Sequence, residues 1–163
     1  MGESQQVAKV TVSQKTILKI KDVYDFIYDL VTSQGFDVVE KEFIKKDTES
    51  SFEWDCYRWV DDYVQFKIWL KCKISEESQV KVKRDGITEP MIKADVKLAM
   101  KASLVTDWQG RWEAKSPIFK FLKGLYDHFL FGPMISEKKK ALIDKVYIIE
   151  NEVKSFFELP RYM

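Results

Sequence analysis

The sequence predicts an α+β domain of two layers: a twisted antiparallel meander sheet of five to six strands, with one face packed on an N-terminal helix and a C-terminal helical hairpin. Three observations predict it. Val64, Phe66, Ile68, Leu70, Cys72 and Ile74 alternate with polar residues without a fault. Ile92, Ala94, Val96, Leu98, Met100, Ala102 and Leu104 do the same. Such period-two patterning marks strands with one buried face. Apolar residues then recur at three- and four-residue spacing in three other stretches, before and after these strands, which marks amphipathic helices.

The totals fit one domain spanning residues 1–163. The chain is 45% apolar and 14% aromatic, enough to bury a core of useful size. A net charge of +1 argues against a strong global pull toward nucleic acid or anionic membrane, though it leaves local patches open. Cys56 and Cys72 make no disulfide framework and no zinc site, and read as small buried hydrophobes in a reducing compartment. The opening residues MGESQQVAKV lack the apolar core of a signal peptide, and no window is apolar enough to span a membrane. The expected location is cytoplasmic.

Taken in order, residues 1 to about 8 are polar and expected to be disordered. Ile17, Leu18 and Ile20 suggest a first strand ending near Lys21. Asp22 then caps a helix running to Gln34, with Val23, Phe26, Ile27, Leu30 and Val31 as its apolar stripe and Gly35 as its stop. Residues 36–46 and 52–60 read as strands joined by a turn at Asp47–Ser51. Asp61-Asp62 is a break, and the alternating strand from Val64 follows. Ser75 to Ser78 reads as a turn, after which Val80 and Val82 resume the alternation. Asp85-Gly86 is a second turn. The strand after Pro90 runs for thirteen residues, or about 40 Å, long enough to imply a bent or strongly twisted sheet.

The stretch SPIFKFLKGLYDHFLFG, Ser116 to Gly132, has Ser116 as an N-cap and Pro117 at the first helical position. Gly132-Pro133 reads as its stop. Its apolar face is wide enough to be clamped between two layers. Ser136 then caps a last long helix, with Leu142, Ile143, Val146, Ile149, Val153, Phe156 and Phe157 on its inner face.

If Val64 to Ile74 face inward, Lys67, Trp69, Lys71 and Lys73 face outward. The same alternation adds Lys81, Lys83, Lys93, Lys97 and Lys101, with Asp95 the one acid among them. Such a face suits an anionic partner, RNA or an acidic protein, whose charge the lysines would neutralise while Trp69 stacks on a base. Lysines also simply solvate the open face of a one-sided sheet, and no RNA-recognition, KH or helix-turn-helix signature is present. In WQGRW, Trp108, Arg111 and Trp112 form a candidate protein-contact platform, or cover the edge of the core.

No residue argues for catalysis. His128 is the single histidine, and its neighbour Asp127 points about 100° away on a helix. No set of ligands at metal spacing and no phosphate-binding glycine motif occurs, so no cofactor is expected.

A long sheet closing on a C-terminal helix resembles, in element order, the helix-grip arrangement of START and Bet v 1-like domains. That likeness implies an apolar small molecule held between sheet and helix, here lined by Phe66, Ile68, Leu98, Met100, Phe121 and Leu125. The chain departs from the arrangement in having one helix after the first strand and two at the end. The runs DWQGRWEAKSPIFKFLKGLYDHF and RWVDDYVQFKI are also similar to small archaeal proteins of unknown function. This resemblance implies an intracellular archaeal setting and assigns no activity and no site residue.

The leading expectation is a non-enzymatic binding or structural module whose lysine-rich sheet face meets an anionic partner, RNA, the ribosome or an acidic protein, or whose aromatic-rich helices join a larger assembly. The alternatives are a carrier or sensor of an apolar small molecule, and a self-assembling protein. In the last case Phe129, Phe131, Tyr147, Phe156 and Phe157 would pair two copies through the C-terminal helices.

Overall fold

The two long alternating stretches are neighbours at the heart of one five-stranded antiparallel sheet. A computed structural model describes residues 3–61, 63–106, 121, 125 and 132–158 of the chain. Its elements are β1 (Glu3–Leu18), α1 (Ile20–Ser33), β2 (Asp37–Lys45), β3 (Ser50–Trp59), β4 (Val64–Arg84), β5 (Ile87–Thr106) and α2 (Gly132–Glu158). The strand order is β1-β5-β4-β3-β2, an open sheet with β1 and β2 at its edges. Strands β2 to β5 form the predicted meander, and β1 returns beside β5.

The inner face is as the alternation predicts. Val64, Phe66, Ile68, Leu70, Cys72 and Ile74 are each at most 3% exposed, and Ala94 to Leu104 match them from β5. Burying one such side chain contributes about 1.5–3 kcal/mol. Both helices close this face. Helix α1 supplies Val23, Ile27 and Val31, and α2 supplies Leu142, Val146, Ile149, Val153, Phe156 and Phe157. Phe26 of α1 stacks on Phe156 of α2 with ring centroids 4.0 Å apart. Tyr24 meets Phe43, Phe52 and Trp54 edge-on.

Several boundaries differ from expectation. Residues 3–8 are not frayed: they begin a 16-residue strand paired along its length with β5, from Glu3↔Thr106 to Leu18↔Ile92. Their polarity hid a strand whose stability comes from its neighbour. Helix α1 starts at Ile20 with Lys19 at its N-cap and no side-chain cap, so Asp22 lies in the first turn, where its charge suits the helix dipole. Helix α2 starts at Gly132, so Pro133 falls in the first turn and Ser136 is interior. A proline there loses no hydrogen bond. Phe121 and Leu125 are helical, while the rest of residues 116–131 lies outside the described residues.

Gly35 ends α1 with φ of +90°, and a Cβ there would meet Arg58 Nη1 at 2.9 Å. That guanidinium donates to the Gln34 carbonyl at 2.7 Å, and Lys145 Nζ donates to the same oxygen at 3.3 Å. Two cations thus satisfy the C-terminal end of the helix.

The main correction concerns β4. Ser75 to Ser78 does not turn the chain back. It forms a bulge, with Ser75 opposite Asp95 and Ser78 opposite Lys93, so that Glu76 and Glu77 together face Ala94. Glu76 adopts φ of +54° to allow it. One strand of 21 residues therefore replaces the two expected, and among the described residues the sheet has five strands, the lower of the two expected numbers. At the far end Asp85 and Gly86, with φ of +51° and +79°, make the two-residue turn of a tight hairpin.

Candidate functional site

The face of the sheet opposite the helices is built from the odd positions of β3, the odd positions of β4 up to the bulge, and the odd positions of β5 from Lys93 on. Register sets who meets whom. Tyr57 pairs with Lys67, Asp55 with Trp69, Glu53 with Lys71 and Ser51 with Lys73. Across β4 and β5, Trp69 pairs with Lys101, Lys71 with Ala99 and Lys73 with Lys97. Strand β1 then adds Lys9 opposite Lys101 and Lys15 opposite Asp95.

Lys67, Lys71, Lys73, Lys93, Lys97 and Lys101 therefore share this face as predicted, together with Trp69. Lys81 and Lys83 do not. Beyond the bulge the parity of β4 is reversed, so Lys81 pairs with Pro90 and Lys83 with Thr88, positions of β5 that belong with Ile92 and Ala94. The acids are also less segregated than the alternation suggests, because Glu53 and Asp55 lie on this same face.

Glu53 and Asp55 are engaged by their neighbours. Trp69 donates its indole N–H to Glu53 Oε1 at 2.7 Å. Asp55, 8% exposed, has Lys41 Nζ at 3.5 Å. Lys101 lies over the Trp69 ring, 5.1 Å from its centroid, and Lys67 over the Tyr57 ring at 5.7 Å. Burial, then the Asp55 charge, pushes the Tyr57 phenol above its ordinary value, so it remains neutral. Tyr57 and Trp59 are stacked, 6.0 Å apart and 27° from parallel, with Trp59 48% exposed. Neither was singled out from the sequence. The signal was present: Phe52, Trp54 and Cys56 face inward, so the odd positions of β3 must face outward.

Two pairs of lysines, Lys9↔Lys101 and Lys73↔Lys97, stand directly opposite each other across strands. Like charges so placed are destabilising. Lysines at alternate positions of one strand are about 7 Å apart, inside the screening length of physiological salt. The lysines of β4 and β5 share this face with Glu53, Asp55 and Asp95.

The other candidates are distributed differently. Phe66, Ile68, Leu98 and Met100 are buried in the core, but Phe121 is 67% and Leu125 39% exposed, so those two do not share the enclosed environment of the other four. Phe156 and Phe157 are also core, whereas Tyr147 is half exposed. Trp108, Arg111, Trp112, Asp127, His128, Phe129 and Phe131 lie outside the described residues. Both cysteines are buried and their thiols are pushed up to about 12 by burial, which keeps them protonated and unreactive. Among the described residues no group of His, Cys, Asp and Glu could hold a metal ion, and no helix is long and apolar enough to cross a membrane.

No protein-family model matches the chain, and a search of curated proteins finds no match. The site is therefore read from its own residues.

Proposed function

We propose that the protein is a non-enzymatic module that binds single-stranded RNA on the open face of its sheet. One observation carries the reading. Tyr57, Trp59 and Trp69 lie on the same face as Lys67, Lys71, Lys97 and Lys101, and on that face Lys9 stands directly opposite Lys101. Aromatic rings offer every base a stacking surface, and lysines neutralise the backbone without reading sequence. A bound polyanion would relieve the lysine repulsion that the free protein bears. Among the described residues arginine is nearly absent from this face, which fits binding by charge and stacking rather than by base-edge recognition.

The test is fluorescence anisotropy with a mixed-sequence single-stranded RNA over a series of salt concentrations. The native protein should bind at low salt, with log K falling by roughly 0.7 per neutralised phosphate for each log unit of salt. Lys67→Glu/Lys71→Glu/Lys97→Glu should abolish binding. Trp59→Ala should weaken it by roughly tenfold or more, the worth of one stacked base. Absence of binding by the native protein at low salt would end the RNA reading. Binding of an acidic polypeptide in its place would reassign the face to a protein partner.

A further inference from the structure

One corner of the basic face is a cleft rather than a plane. Its volume is about 160 Å³, and Ile44, Lys46, Glu49, Ser51, Lys71 and Lys73 line it. The β2–β3 turn builds one wall. There the Lys46 N–H donates to the Glu49 carbonyl at 2.7 Å, which brings these two residues to the same end of the turn. The floor is β4, where Lys73 is opposite Ser51 and Lys71 opposite Glu53. Three ammonium groups and one carboxylate therefore line a single recess.

The carboxylate is held by the lysines. Glu49 Oε1 lies 3.0 Å from Lys73 Nζ. The bond to Lys73, then the charges of Lys73, Lys46 and Lys71, hold Glu49 below the ordinary carboxylate range. All three ammoniums thus act on one anionic group that belongs to the protein itself. A single water needs about 10–15 Å³ of such space, so the recess has room for a larger oxyanion with part of its hydration shell.

We propose that this cleft binds a phosphate-class oxyanion, and that Glu49 is a resident carboxylate which the incoming anion displaces from Lys73. The Ser51 hydroxyl is the neutral donor of the site, and the three lysines supply its charge. Tetrahedral oxyanions carry more charge and more acceptor oxygens than one carboxylate, so exchange favours the ligand once its concentration is sufficient. The site stands on the cleft alone. It shares Lys71 and Lys73 with the wider face, but Lys46 and Glu49 belong only to the turn.

Calorimetric titration with inorganic pyrophosphate at constant ionic strength tests it. The native protein should bind one equivalent. Glu49→Gln should bind tighter by roughly fivefold, because the internal competitor is gone. Lys46→Ala/Lys71→Ala should bind weaker by roughly tenfold or more; both side chains are exposed, so the fold should be retained, and circular dichroism checks this. No binding by the native protein, or binding by Glu49→Gln no tighter than native, would overturn the proposal. Oligoribonucleotides with a 5′-phosphate or a 5′-hydroxyl identify the source. Preference for the phosphorylated end, competed by pyrophosphate, supports the site with a strand terminus as ligand. Equal binding of the two ends with pyrophosphate still bound supports it with a free anion. Retained pyrophosphate binding without RNA binding would remove only the wider reading, and loss of pyrophosphate binding in Lys46→Ala with RNA binding unchanged would support the cleft as a site separate from the wider face.

Discussion

Two stretches of β4 carry the same pattern and meet different fates. From Val64 to Ile74 every second residue is apolar and essentially inaccessible. From Val80 to Arg84 the sequence VKVKR alternates as cleanly, yet Val80 and Val82 are only half-buried and the lysines leave the face that Lys71 and Lys73 occupy. Only Glu76 and Glu77 set against the single Ala94 separate them. Alternation fixes which residues share a face, but only as far as the next bulge.

The sharpest way to break the comparison is to truncate one residue on each side of it. Leu70 is fully buried in the core, while Val82 is half-buried in the hairpin beyond the bulge. Leu70→Ala should cost about 2–5 kcal/mol in urea denaturation, from lost burial and the cavity left behind. Val82→Ala should cost less than about 1 kcal/mol. Equal losses would mean that the distal hairpin is part of the same cooperative core.

The comparison also shows what was legible beforehand. The inner faces of β4 and β5 and the stripes of both helices could be read, because burial imposes a period on the sequence. The outer face was half legible: the lysines of β4 and β5 followed from parity, and Tyr57 and Trp59 could have. The bulge was not, since Ser75–Ser78 has the polarity of a turn and no glycine to mark the positive φ at Glu76. Nor was the strand from Glu3 or the Lys46–Lys71–Lys73 recess. Both depend on cross-strand register, which joins residues far apart in the chain.

The bulge is itself held in place, and this can be tested. The Glu77 N–H donates to the Thr48 carbonyl at 3.1 Å, and the Ser50 hydroxyl donates to Glu77 Oε1 at 3.1 Å. Lys45 Nζ lies 3.7 Å from that oxygen, and the Glu77 side chain is only 5% exposed. These contacts fasten the β2–β3 turn onto the point where β4 changes parity. Glu77→Ala leaves the buried Ser50 hydroxyl without its acceptor and should cost about 1–3 kcal/mol. Amide exchange should speed up at Thr48 to Ser51 and around Ser78, while Ile68 to Cys72 stay protected. Uniform loss of protection would show that the bulge is not a separate local unit.

The entry to β4 is fastened differently, through charge, and its effect should be small and the most dependent on pH. Asp61 accepts the N–H groups of Tyr63 at 2.8 Å and Val64 at 2.7 Å, and pairs with Lys138 of α2. Burial works against its charged form, but the Lys138 bond and the two backbone donors outweigh it and hold Asp61 below the ordinary carboxylate value. A depressed folded pKa gives a contribution that is complete above the unfolded value of about 3.9 and is lost as pH falls through the folded one. Asp61→Asn can keep the two N–H bonds through its Oδ1 but loses the ion pair. The variant should be less stable by about 1 kcal/mol at neutral pH, a figure kept small by solvent screening because the Asp61 side chain is 39% exposed. The native and variant curves should converge as acid protonates Asp61. A difference that persists unchanged into acid would mean that the loss does not come from the charge of Asp61, leaving the join between α2 and the start of β4 to apolar packing.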